Sequence, residues 1–170
     1  MKSFSMLLLF FPVLLLAQPA TYRDGVLNIP EAAVTDPDDP AYFTDVQLQV
    51  DGDGALQIVA AEVTNPVTVE DVTVLIMESF PVQVSVLVAG YKSVPCVNLL
   101  TPAVDRKDNV FTVVMAESVL GPAESCIAVV DPFEVSVPLE VLGLSAGIYT
   151  VNVNGVTAAF TLDMDNIAPQ

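Results

Sequence analysis

Between Pro66 and Asp163 apolar residues return at nearly every second position, and no stretch sustains a helical period. A chain patterned this way buries one face of each strand, so it folds as sheets. The C-terminus is the clearest case. Tyr149-Thr150-Val151-Asn152-Val153 and Val156-Thr157-Ala158-Ala159-Phe160 flank Asn154-Gly155, a pair favoured in two-residue type I′ turns because both central residues take positive φ. The turn sets the register: Val153 opposite Val156, Val151 opposite Ala158, Tyr149 opposite Phe160. All six fall on one face and leave Asn152, Thr150 and Thr157 on the other. One buried face and one wetter face belong to an antiparallel sheet packed on a second sheet.

Upstream, Val82, Val84, Val86 and Val88 alternate with Gln83, Ser85, Leu87 and Ala89. Residues 72–77 are nearly continuously apolar and read as a central strand. Phe80-Pro81 marks a bend or a switch between sheets. Residues 110–116, 126–130 and 133–141 complete about seven strands, and 143–147 turn into the terminal hairpin. The expected fold is all-β: an antiparallel immunoglobulin-like β-sandwich over residues 66–165, with 166–170 as a tail. An antibody-type domain would add a buried tryptophan, and the chain has none, so the expectation extends to architecture only.

Residues 18–65 read differently, as an acidic β segment forming a small meander ahead of the sandwich. Asp24-Gly25-Val26-Leu27-Asn28-Ile29-Pro30 is a short strand between breakers, and Thr35-Asp36-Pro37-Asp38-Asp39-Pro40 is an acidic loop. Strands at 44–50 and 55–63 are joined by Asp51-Gly52-Asp53-Gly54. Three short strands bury little surface alone. The segment therefore either packs on the sandwich or stands as an appended unit, with Asn65-Pro66 as the boundary.

The first 17 residues have the form of a cleavable secretory leader. Lys2 supplies the charge, an apolar run follows from Met6 to Leu16, and the small residue Ala17 precedes the cut, with Ala20 as second choice. A membrane-spanning helix needs roughly 20 apolar residues, so no insertion is expected after cleavage. The product is expected to be secreted or periplasmic. In such a compartment Cys96 and Cys126 read as a disulfide, and closing a loop of about 31 residues would stabilise the fold by ~3.7 kcal/mol in the chain-entropy account. Zinc would need two further soft ligands, and there is no histidine. Two buried free thiols are the other alternative.

Without the leader the chain keeps four basic residues, Arg23, Lys92, Arg106 and Lys107, against 21 acidic ones, a formal charge of −17. That excludes nucleic acid, whose phosphates demand lysine and arginine, and anionic membrane surfaces. The charge serves either solubility, since exposed β edges need such protection, or a cationic or basic partner.

The strings Glu78-Ser79-Phe80-Pro81-Val82-Gln83-Val84-Ser85-Val86 and Ala146-Gly147-Ile148-Tyr149-Thr150-Val151-Asn152-Val153-Asn154-Gly155-Val156, with the two cysteines, resemble a recurrent immunoglobulin-like module of uncharacterised secreted bacterial proteins. Residues 22–55 are similar to another short exported module. Tyr91-Lys92-Ser93-Val94-Pro95 departs from the Leu-Pro-Asp run of the first module. The resemblance implies a sandwich and export; it brings no activity.

Catalytic chemistry is poorly supplied. Without histidine, a nucleophilic serine lacks its usual base, and a serine–lysine pair with Lys92 or Lys107 has no supporting motif. Carboxylate pairs exist, yet the aromatics fall at core-facing positions rather than as sugar platforms. No catalytic residue, cofactor or metal is expected. Asp51 and Asp53 with Glu62 match part of an EF-hand loop, but Ala55 stands where a ligand is needed and Leu56 where glycine is needed. Asp36, Asp38 and Asp39, or Asp163 and Asp165, are further acidic groupings. The chain therefore reads as a non-enzymatic structural or protein-interaction module. A calcium- or carbohydrate-binding domain using the acidic loops is the alternative.

Export is expected to remove 17 residues. Intact-mass measurement of the secreted product should give a chain beginning at Gln18, and a chain retaining the first 16 residues would overturn the assignment of compartment.

Overall fold

The computed structural model describes residues 19–36, 39–122 and 124–168. The expected leader, its cut after Ala17, and Asp38 of the acidic loop lie outside them. The described residues form thirteen strands and no helix, so no helix among them is long and apolar enough to cross a membrane. The strands β1 (Thr21–Arg23), β2 (Val26–Val34), β3 (Ala41–Val50) and β4 (Leu56–Val63) make an antiparallel meander in sequence order. A short link, β5 (Asn65–Pro66), leads to β6 (Thr68–Met77), β7 (Gln83–Lys92), β8 (Ala103–Lys107), β9 (Val110–Val114), β10 (Ala116–Glu117), β11 (Asp131–Leu139), β12 (Gly147–Val153) and β13 (Val156–Leu162). One sandwich sheet runs β11-β7-β6, the other β13-β12-β9-β8, and β5 pairs with β10.

The all-β sandwich is as the alternation demands. Val84, Val86 and Val88 of β7 meet Val151 and Val153 of β12, with Phe111, Val113, Val137, Leu139 and Leu162 filling the same buried layer. Phe111, Tyr149 and Phe160 pack together in this layer with ring centroids 5.4–6.2 Å apart. The terminal hairpin has the expected register, Val153 to Val156 and Tyr149 to Phe160. Asn154 and Gly155 have φ of 47° and 94°, the signs a type I′ turn needs. Asn154 also pins the turn to the sandwich end. Its amide donates to the Val67 and Met115 carbonyls at 3.0 and 2.8 Å and its oxygen accepts from Met115 N at 3.0 Å.

Several expectations change. Residues 126–130 are loop, not strand, and mostly exposed. The pairing of β11 with β7 begins at Asp131 opposite Lys92, the last residue of β7, so residues before 131 have no strand of β7 beside them. Residues 72–77 lie in an edge strand rather than a central one, and Leu75, Ile76 and Met77 are exposed. Phe80-Pro81 is a cis bond in the turn between β6 and β7, which pair in one sheet; the chain bends there without changing sheets. β8 was not expected, because three of its five residues are charged and neither face shows an apolar rhythm. One pairing is parallel: β9 beside β12.

Two local features keep the register. A bulge between Val69 and Asp71 holds Val69 on the same side as Val72 and Val74, all three packed against the core. Gly90 of β7 leaves no space for a side chain, since a Cβ would overlap the Thr68 carbonyl and press on the Phe133 ring. At the C-terminus, Asn166 is buried although it opens the segment read as a tail. Its side chain accepts from Val82 N at 2.7 Å and donates to the Val82 and Val141 carbonyls at 2.9 and 3.0 Å.

The hairpin supplies an ordered test. Gly155→Val forces a β-branched residue into positive φ and should cost about 1–3 kcal/mol, and Val151→Ala opens a cavity in the fully buried layer for about 1–3 kcal/mol. Thr157→Ser, on the exposed face, should stay within about 0.5 kcal/mol. Urea melts rank the three, and equal effects at 151 and 157 would contradict a half-buried hairpin.

Candidate functional site

The N-terminal sheet docks through β2 and β3. Ala33 of β2 and Tyr42 of β3 are cross-strand partners that pack on Val114 and Ala116, beside Leu100 and Ala103. The Tyr42 hydroxyl lies 2.7 Å from Glu31 Oε2 and 2.7 Å from the Thr101 carbonyl, and its single proton serves these two acceptors. Thr64 ties the linker to the same place, its backbone N–H and hydroxyl both donating to the Tyr42 carbonyl at 3.0 Å. Burial raises the Tyr42 pKa above the usual phenol value, helped by the hydrogen bond to Glu31 and its charge.

Beyond buried Val46, an apolar row crosses the far part of the sheet. Tyr22, Leu27, Leu48 and Ile58 are successive partners across all four strands. Two residues along the same face, Val50 pairs with Leu56. Leu27 and Leu48 shield each other, but Tyr22 is 65% exposed, Ile58 68% and Leu56 59%. A contiguous apolar surface of this kind is the usual mark of a contact site.

The outer edge of the sheet is equally open. All eight residues of β4 are exposed, and it pairs only with β3 among the described strands. Proteins ordinarily blunt such edges with charge, proline, bulges or shortness. Here β1 has three residues, β8 carries Asp105, Arg106 and Lys107, and β11 carries Pro132, Glu134 and Pro138. β4, Leu-Gln-Ile-Val-Ala-Ala-Glu-Val, has one charge and no proline. Its one device is a bulge, a register shift that leaves Val59 unpaired between Ile58 and Ala60.

Among the described residues, Asp51, Asp53 and Glu62 do not come together as a calcium loop. Asp51 is a turn residue: one carboxylate oxygen accepts from Asp53 N and Ala55 N at 2.9 Å each, the other from the Gln57 amide at 2.8 Å. The Ala55 bond leads the effects that hold its pKa below the ordinary carboxylate value. Glu62 stands six residues beyond Leu56 on β4, about 20 Å along an extended strand. Asp165 accepts from Ala146 N at 2.8 Å. Among the described residues no three acids, cysteines or histidines gather as a metal cluster.

Cys96 and Cys126 are bonded, but they join the two long loops at one end of the sandwich rather than strands across its core. The same end holds Lys92, paired with Asp131 at 2.9 Å and donating to the Val97 carbonyl at 2.7 Å. Buried Glu117 accepts from Ser93 N at 2.8 Å and from its hydroxyl. Lys92 and Ser93 are thus committed to other partners and do not bond as a serine–lysine pair. Sequence reasoning missed Tyr42, Glu117 and the exposed side of the meander; the partners of Tyr42 lie 11 and 59 residues away, and no local pattern signals that.

Residues 86–162 match the family model described as the ORF11 beta-sandwich domain. No curated protein and no solved structure matches the chain. The matched span runs from β7 to the end of β13, so the likeness concerns the sandwich, and the N-terminal sheet lies outside it.

The docking bond has a pH signature. The folded state holds the Tyr42 proton more tightly than the unfolded chain, so its contribution is full below pH ~10, the unfolded phenol value, and is lost as pH rises through the higher folded value. Tyr42→Phe should cost about 1–2 kcal/mol at pH 7 and lose less stability than wild type above pH ~10. Urea melts at pH 7 and 11 check this; parallel losses in both proteins would detach the alkaline transition from Tyr42.

Proposed function

We propose that this chain is an exported, non-enzymatic protein-interaction module that presents the N-terminal sheet from a rigid sandwich. The uncovered apolar face of that sheet carries the reading: Tyr22, Ile58, Leu56 and Val50 stand in solvent beside half-covered Leu27 and Leu48, a cost in hydration that a partner would relieve. Export is supported by the leader-like N-terminus and by the Cys96–Cys126 bond, which suits an oxidising compartment. The ion-paired Lys92 and the turn-bound Asp51 favour this reading over serine–lysine catalysis or calcium binding.

A photo-reactive residue in place of Ile58, in protein made by its own producing cells, should give a discrete adduct on irradiation. The same residue in place of Thr157, on the exposed side of the terminal hairpin, should not. Equal labelling at both positions, or none at 58, would remove the interaction reading.

A further inference from the structure

We infer that the free edge of β4 takes up an extended segment of another protein as a fifth strand, and that this segment alternates apolar and polar residues and carries lysine or arginine on both flanks. The inference rests on the interaction reading above and specifies its partner. Three observations converge. First, β4 is a sheet edge eight residues long, exposed throughout, with one charge and no proline. Its outward backbone groups are the template that strand addition uses. Second, Ile58 and Leu56 lie on this edge and continue the apolar row of Leu48 and Val50, while Gln57 pairs with Gln49 on the opposite face, so over this half of the edge an added strand finds apolar neighbours on one face and polar ones on the other. That favours an alternating segment over a uniformly apolar one. Third, the ends of β4 are acidic. Asp51 and Asp53 precede it and Glu62 lies near its far end, about 20 Å from Leu56. The only basic residue of the sheet, Arg23, sits on β1 at the opposite edge.

Charge also argues against a second copy as the occupant. In an antiparallel self-pairing centred on Gln57, which keeps Leu56 and Ile58 on a common face, Glu62 of one chain falls opposite residue 52 of the other. Asp51 and Asp53 flank that position in the turn before β4, so carboxylates of the two chains come near each other and repel. A pairing centred between Val59 and Ala60 moves Glu62 opposite Gln57 but still lays together two acidic edges with no basic residue on either strand. A segment with basic flanks meets attraction there instead.

The test presents the folded, disulfide-bonded chain to a library of random twelve-residue peptides and measures affinities of the selected ones by fluorescence anisotropy. The expected selection is alternating apolar sequences with lysine or arginine about six to eight residues apart. Ile58→Lys and Ala60→Pro should each weaken them about tenfold or more, with circular dichroism reporting that both variants keep their sheet content. Asp53→Asn and Glu62→Gln should each weaken them by about two- to fivefold and reduce their salt dependence. Peptides held equally by Ile58→Lys and Ala60→Pro, peptides enriched without basic flanks, or no enrichment would each overturn the proposal. So would a concentration-dependent dimer in sedimentation equilibrium that Ile58→Lys abolishes, which assigns the edge to a second copy. A photo-adduct at position 58 without peptide selection leaves the interaction reading standing and removes the strand; selected peptides without any adduct in producing cells remove both.

Discussion

Two valine rows facing each other hold this molecule together. Val84, Val86 and Val88 on β7 and Val151 and Val153 on β12 are essentially inaccessible to water, and each such side chain contributes about 1.5–3 kcal/mol of burial. Both strands are interior to their sheets, flanked on each side by hydrogen-bonded neighbours. The aromatic group of Phe111, Tyr149 and Phe160 fills one side of that layer, and Asn154 and Asn166 satisfy backbone groups where the strands run out. With the core secured in this way, the disulfide is free to do a different task. It ties loops 93–102 and 118–130 beside the buried Glu117 carboxylate, holding a polar end in place where no valine layer reaches.

How much of this was legible depended on whether the signal was local. Asn154-Gly155 and the flanking alternation specify a hairpin within twelve residues, and its register is correct to the residue. Val84 to Val88 give their inward face by period alone. The bulge at Val69 and Asp71 shows why a pattern shift need not end a strand: one extra residue restores the phase. Residues 126–130 misled because β-branched residues suit a strand whether or not a neighbour is there to pair with; the end of β7 at Lys92 decides that, and it is set elsewhere in the chain. β8 was invisible for the converse reason, since an edge strand with charge on its surface has no apolar rhythm to read.

The site was the least legible part. Alternating apolar residues in 55–63 ordinarily signal a buried face, and in sequence Ile58 looks no different from Val86. What separates them is that Val86 faces the second sandwich sheet across the core, whereas Ile58 is 68% exposed. The covered end of the meander is chosen by Tyr42, whose partners Glu31 and Thr101 come from two different units of the chain. Docking at that end, through Ala33, Tyr42 and Thr64, leaves the Leu56–Ile58 end of the sheet in solvent.

An apolar edge left open would ordinarily invite indiscriminate pairing, and the chain answers this with charge at the ends of the strand, Asp51 and Asp53 before it and Glu62 as its penultimate residue. Charge in the middle of β4 would protect the edge by spoiling it for every partner. Carboxylates at its ends leave the backbone ladder intact and act only on what approaches. At physiological salt the screening length is about 8 Å, well short of the roughly 20 Å between Leu56 and Glu62, so the two ends work as separate local fields. Each repels an acidic chain, a second copy included, and each attracts a single basic residue. Exposed pairs of this kind contribute little to affinity but influence encounter and discrimination. Affinity is then left to the backbone bonds and to the apolar row from Leu48 to Ile58. Strand pairing and charge thus have separate duties at the same edge, and that separation is how an acidic protein can keep a sticky strand exposed.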